Sequence, residues 1–196
     1  MFRKSCKISI IVILVIMLLL PTGIVFSESS SEEDDNTSSN PLMPFDVDAK
    51  SALLVEVETG SVLYEKNADD PLPPASITKM MTLLLAFEAL ENGQANWEDT
   101  TVTSEFAWSS TKGNVSQLFL NVGQEVTYKE LIEGISIVSA NDASIVLAEF
   151  LAGSEASFVN RMNQRAQELG MKDTYFVNSH GLPAEGQQYM SARDIV

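Results

Sequence analysis

The chain is 196 residues long and carries a formal net charge of −15, from 27 acidic against 12 basic residues. That balance excludes a protein built to hold nucleic acid, whose phosphates demand clustered Lys and Arg, and it fits a soluble chain that does not cling to anionic surfaces. One cysteine, Cys6, and one histidine, His180, exclude a disulfide framework and a Cys/His metal cluster.

In chain order, Arg3, Lys4 and Lys7 precede an apolar run from Ile8 to Leu20, which Pro21 and Gly23 break. Modest residues at Val25 to Ser27 follow, so residues 1–27 read as a secretory signal peptide. The run is short for a membrane span, and an uncleaved anchor is the alternative. Cys6 lies ahead of the run, the wrong side for a lipoprotein-type anchor. Residues 28–46 are mostly Ser, Glu, Asp, Asn and Thr, the composition of a disordered acidic leader.

Order is expected from residue 47 onward. Ala52–Val57 and Val62–Glu65 read as two strands, with Gly60 in the turn of a hairpin. A loop with three prolines, Pro71, Pro73 and Pro74, leads to a helix whose first turn holds Ser76 and Lys79. From Met80 to Phe87 its only polar residue is Thr82, the pattern of a helix wrapped by protein on every side. Asn92-Gly93 ends it. A strand over Glu98–Thr103 and a short helix started by Ser104 follow, then turns at Lys112-Gly113-Asn114 and at 121–123 around the apolar piece Leu118-Phe119-Leu120.

Thr127 and Glu130 form a capping box that starts a helix through Leu131, Ile132, Ile135 and Val138. A second helix runs from about Asp142 to Leu151 and stops at Gly153. A third, capped by Ser154, carries the core stripe Phe158, Met162, Ala166 and Leu169 and ends at Gly170. The segment 173–196 is loop-rich, and Ser191 is placed to cap one more helix.

Two constellations carry chemistry. Residues three apart share a helix face, so the Ser76 hydroxyl and the Lys79 amine meet. Serine is a weak nucleophile without a base, and a lysine serves as that base only where burial lowers its pKa. Ser-x-x-Lys alone is a common pattern, and context has to confirm it. The second constellation is Ser139-Ala140-Asn141, between two apolar helical runs. A polar Ser-x-Asn there is costly unless hydrogen-bonded; read alone, it is a helix-to-helix turn with Asn141 as cap.

Taken together, Pro74-Ala75-Ser76-Ile77-Thr78-Lys79, Ser139-Ala140-Asn141-Asp142-Ala143, Asn178-Ser179-His180-Gly181-Leu182 and Ser191-Ala192-Arg193-Asp194 resemble the D-alanyl-D-alanine carboxypeptidases. These are the low-molecular-mass penicillin-binding proteins of serine peptidase family S11, and the resemblance runs over residues 47–196. It implies an α+β, three-layer, β-lactamase/transpeptidase-like fold: a helical subdomain plus an antiparallel sheet that is incomplete here. It implies that Ser76 is the acylating nucleophile, Lys79 its base, Ser139 a proton relay to the leaving D-alanine, and Asn141 a substrate-binding residue that also orients Lys79. Ser76 N–H would be half of an oxyanion hole. His180 would be structural, because Lys79 already fills the base's role. No cofactor and no metal is implied. The expected partners are peptidoglycan stem peptides as substrate and β-lactams as inhibitors. Membrane contact is expected only through the signal segment or a C-terminal anchor outside this chain, and the protein is expected to be exported, to the cell envelope at the outer face of the cytoplasmic membrane or as a secreted protein.

The family's middle Gly of Ser-x-Asn is Ala140 here, and its third motif, Lys-Thr-Gly on a strand, is absent from residues 1–196. The chain therefore reads as the front of a longer protein, inactive by itself. A serine β-lactamase relative and a truncated module that only binds cell-wall peptides stand as alternatives.

Overall fold

A computed structural model of the chain describes residues 46–113 and 115–196. The expected signal peptide, and all of the expected leader except Asp46, lie outside the described residues. So does Asn114 of the expected turn at 112–114.

Strands β1 (Ala52–Val55) and β2 (Val62–Lys66) form the expected hairpin, antiparallel with Leu54 opposite Tyr64. Gly60 makes its turn at φ +70°, a conformation that glycine adopts without strain. Asp46 accepts from Lys66 Nζ at 2.9 Å and so ties the first described residue to β2. Helix α1 (Lys79–Glu91) follows the proline loop. A second antiparallel pair, β3 (Thr100–Val102) with β4 (Glu125–Thr127), sets Thr101 opposite Val126. The sequence reading has β3 as a longer strand and misses β4. Its Glu-Val-Thr is too short to show alternation and merges with the cap of the next helix.

Helix α2 (Glu105–Ser110) starts at Ser104, whose Oγ accepts from Ala107 N–H. Helices α3 (Tyr128–Val138), α4 (Asn141–Ala152) and α5 (Glu155–Leu169) follow as expected. The short helix α6 (Ala192–Ile195) is capped by Ser191, and its Arg193 bonds Asp69 and Glu65 beside β2. The described residues are thus an α+β arrangement: a helical layer with two small antiparallel sheets.

The core differs from expectation in one respect. The helix buried on all sides is α4, whose residues 141–148 are all buried, and α1, α2, α3 and α5 pack on it. Burial of each of Ile145, Val146 and Leu147 contributes about 1.5–3 kcal/mol. Helix α1 is not wrapped. It buries Lys79, Met81, Thr82, Ala86 and Ala89 but leaves Met80 55% and Phe87 47% exposed. That open face, with Leu83 and Leu84, borders an apolar groove shared with Met171 and Val196. Among the described residues, no helix is long and apolar enough to cross a membrane.

The start of α3 supports a direct test. Thr127 Oγ1 accepts from Glu130 N–H at 3.2 Å, while a Glu130 carboxylate oxygen accepts from Thr127 N–H at 2.8 Å. Thr127→Ala removes one half of that exchange. It is expected to lower the stability of the whole protein by about 1 kcal/mol, read as a shift in the denaturant midpoint. A shift below about 0.3 kcal/mol would mean that packing of Tyr128 and Leu131 alone fixes this helix end.

Candidate active site

Ser76 sits on a 3₁₀ turn, Ala75–Thr78, and Lys79 is the first residue of α1. The spacing predicts a single α-helical turn for both. The tighter turn is common at helix N-termini, and it still leaves Lys79 Nζ 3.3 Å from Ser76 Oγ. Ser76 is exposed, as an attacking group must be, while Lys79 is only 3% exposed. Burial pulls the Lys79 pKa down from 10.5 to about 8.

Two further acceptors hold the amine: Asn141 Oδ1 at 2.8 Å and the carbonyl of His180 at 2.6 Å. This count fixes direction. A neutral amine has two N–H bonds and one lone pair. If Asn141 and His180 take the two N–H bonds, the lone pair is left for the hydroxyl of Ser76. The site therefore holds lysine in the orientation of a base.

Asn141 is oriented in turn. Its Nδ2 donates to Ser116 O at 3.0 Å, and its backbone N–H donates to the same oxygen at 2.9 Å. The amide oxygen is then the end that faces Lys79. Ser116 is held in place by its neighbours. The buried Asp142 carboxylate accepts from Leu118 N–H at 2.9 Å and Leu120 N–H at 3.1 Å. Gly134 in α3 leaves the space that the Leu118 side chain fills.

Ser139 ends α3 in the left-handed conformation, φ 57°, and is half-buried. Its hydroxyl makes no hydrogen bond among the described residues, to Lys79 or to any other group. His180 is 7% exposed, and burial lowers its pKa below 6.5. Its Nδ1 accepts from Leu182 N–H at 3.1 Å, which puts the ring proton on Nε2, 3.6 Å from a Glu155 oxygen. The imidazole is thus engaged through Nδ1 with Nε2 turned toward Glu155, and it is the backbone oxygen that bonds Lys79.

The sequence reading misses Ser116, Asp142, Thr82 and Ser179. Thr82 carried a usable signal. A lone hydroxyl in an apolar helix must find a partner, and its Oγ1 donates to Ser179 O at 2.6 Å. No group of three or more His, Cys, Asp or Glu side chains able to hold a metal occurs among the described residues.

Comparison with known proteins gives the family and the fold. The family described as Peptidase_S11, D-alanyl-D-alanine carboxypeptidase, matches residues 34–196. The chain is 52% identical over 148 residues to the D-alanyl-D-alanine carboxypeptidase DacF of Bacillus subtilis, covering 76% of this chain and 37% of that protein. It spans well under half the length of the curated relatives it matches. Among solved structures, the D-alanyl-D-alanine carboxypeptidase DacD of Francisella tularensis superposes with a TM-score of 0.74 at 36% identity, over 79% of this chain and 36% of that one. Penicillin-binding protein D2 of Listeria monocytogenes, in its cefotaxime-bound form, superposes with a TM-score of 0.68 at 30% identity, over 77% of this chain and 60% of that one. The fold is that of the penicillin-binding proteins and transpeptidases.

Proposed function

Because the chain belongs to the peptidase S11 family of D-alanyl-D-alanine carboxypeptidases, we propose that the whole protein removes the terminal D-alanine from peptidoglycan stem pentapeptides through an acyl-enzyme. The single observation that carries this is the amine of Lys79, buried and held by Asn141 and His180 with its remaining valence toward Ser76.

Lys79 Nζ takes the Ser76 proton as Oγ attacks the carbonyl carbon between the two D-alanines. The Ser76 N–H, at the start of a helical turn, donates to the oxygen that becomes negative. Collapse breaks the C–N bond, and the departing D-alanine amine receives the proton from the Lys79 ammonium, with Ser139 relaying it. Water then hydrolyses the ester on Ser76. Asn141 orients the amine and offers a hydrogen bond to the substrate amide. The substrate's terminal carboxylate is anchored by a Lys-Thr-Gly strand in the part of the family's length that this chain does not span. A β-lactam presents a similar amide, and ring opening leaves it bound. The β-lactam held by the Listeria relative supports that half of the reading. Export, through residues 1–27, and action at the outer face of the cytoplasmic membrane fit this substrate.

The test is D-alanine release from a pentapeptide ending in D-Ala-D-Ala. The whole protein is expected to release it and to form a slowly hydrolysed penicillin adduct on Ser76, while residues 1–196 alone do neither. Rapid penicillin hydrolysis without D-alanine release would instead make it a β-lactamase relative. Neither release nor adduct would make it a binding module.

A further inference from the structure

We propose that Glu155 is a positioning residue for Lys79: acting through Ser179, it holds the His180 carbonyl where that oxygen takes up one N–H of the amine. This rests on the reading of Ser76 as nucleophile and Lys79 as base.

Ser179 is fully buried and is gripped on three of its atoms. One Glu155 oxygen accepts from Ser179 N–H at 3.0 Å and from Ser179 Oγ–H at 2.6 Å. From the opposite side, Thr82 Oγ1 donates to Ser179 O at 2.6 Å. The peptide that leads into His180 therefore has little freedom to turn, and the next carbonyl along is the one Lys79 bonds. Asn178 Oδ1 closes the loop by accepting from His180 N–H at 3.2 Å and Gly181 N–H at 2.7 Å.

A simpler account of Glu155 exists. It is the first residue of α5, where an acid is favoured by the helix dipole. That account does not predict the observed partners. At the start of α5 it is Ser154 that accepts from a free amide, the N–H of Ser157, while both hydrogen bonds that Glu155 accepts come from Ser179. Glu155 is also shielded, its side chain only 12% exposed, which strengthens a charge-assisted bond to a buried N–H. The charged or titratable groups facing it are His180 from the same loop and Glu149 from α4, whose pKa is raised by burial and then by Glu155 itself.

With Glu155 shortened, Ser179 loses two bonds and the His180 carbonyl is free to swing. A Lys79 N–H released from it competes with the lone pair for Ser76 Oγ, and acylation slows although penicillin still docks. The experiment measures acylation of the whole protein by labelled penicillin, separating the dissociation constant of the first complex from the first-order acylation step. Glu155→Ala is expected to slow the step about tenfold with the dissociation constant unchanged. Glu155→Gln keeps an oxygen that accepts from both Ser179 donors, so it should stay within about threefold of the parent. Ser179→Ala cuts one bond of the two and should fall about threefold, which gives a readout even if Glu155→Ala does not fold. The proposal is overturned if Glu155→Ala acylates within twofold of the parent, if the Gln and Ala variants fall equally, or if the loss lies wholly in docking. A parent protein that forms no adduct on Ser76 would instead refute the underlying assignment of nucleophile and base, and this proposal with it.

Discussion

Lys79→Ala in the whole protein is expected to slow acylation by penicillin by about a thousandfold, within the range that a positioned general base supplies. The variant leaves Ser76 exposed and its turn in place but takes away the amine that lies 3.3 Å from its hydroxyl. Lys79→Arg should not rescue the activity, because a guanidinium stays charged and has no lone pair to accept the proton. The pH profile carries the sign. The reactive form is the neutral amine, so acylation rises with pH through about 8, the value to which burial brings Lys79, and falls about tenfold per unit below it. At pH 7 about one amine in ten is then neutral, whereas an ordinary lysine would leave about one in several thousand. The same shift has a stability consequence of defined direction. Between about 8 and 10.5 the unfolded chain keeps a proton that the folded Lys79 has released. This group therefore makes stability rise with pH across that window and offers no such gain below it. Stopped-flow labelling from pH 6 to pH 10 checks the kinetic claim. A flat profile in the parent protein, or a Lys79→Ala variant within tenfold of it, would remove Lys79 from the base's role.

How far this site could be foreseen depends on which atoms it uses. The roles proposed for Ser76, Lys79, Ser139 and Asn141 rest on side chains at fixed short spacings, and short spacings on helix ends are visible in sequence. The holding groups are of another kind. The His180 and Ser116 oxygens are backbone carbonyls, which any residue could supply, and they come from 101 and 25 positions away from their partners. Asp142 is legible in the sequence as part of the stretch Ser139–Ala143 and as a first-turn residue of α4, but with no role of its own. Its work, spanning the two N–H groups on either side of Phe119, depends on how the chain doubles back. The fold shows the same division. Helices α3 and α5 follow their caps and apolar periods because those signals are local, whereas α4 follows its apolar run and Gly153 but starts at Ala140 with no side-chain cap, Asn141 being its first residue. Strand β4 and the isolated pairings of Leu72 with Met190 and Tyr175 with Tyr189 join distant segments and leave no local mark. The open face of α1 is an instance of a true pattern with a partial cover. The apolar run is real, but the described residues pack against only one side of it.

Gly181→Ala is the second large effect expected, and it separates crowding from backbone strain. A Cβ at Gly181 would lie 1.9 Å from Ala75 O, 2.4 Å from Ala75 C and 3.1 Å from Ser76 N. These are backbone atoms of the turn that bears the nucleophile, so no rotamer change relieves the contact. Either the Ser76 turn or the 178–182 loop has to move by an ångström or more. The first motion shifts the attacking hydroxyl, and the second shifts the carbonyl that holds Lys79. A displacement of that size at a reacting pair costs about a hundredfold in rate. The positive φ of +91° adds about 1–2 kcal/mol of strain for an L-residue. Gly60→Ala is the comparison, since Gly60 has φ +70° with nothing within 4 Å of its Cβ position, so it bears the strain without the contact. Both variants should lose stability, but only Gly181→Ala should lose acylation. Equal acylation rates for the two would mean that the loop and the nucleophile turn separate at no cost, and that the close approach of Gly181 to Ala75 does not hold the reactive pair together.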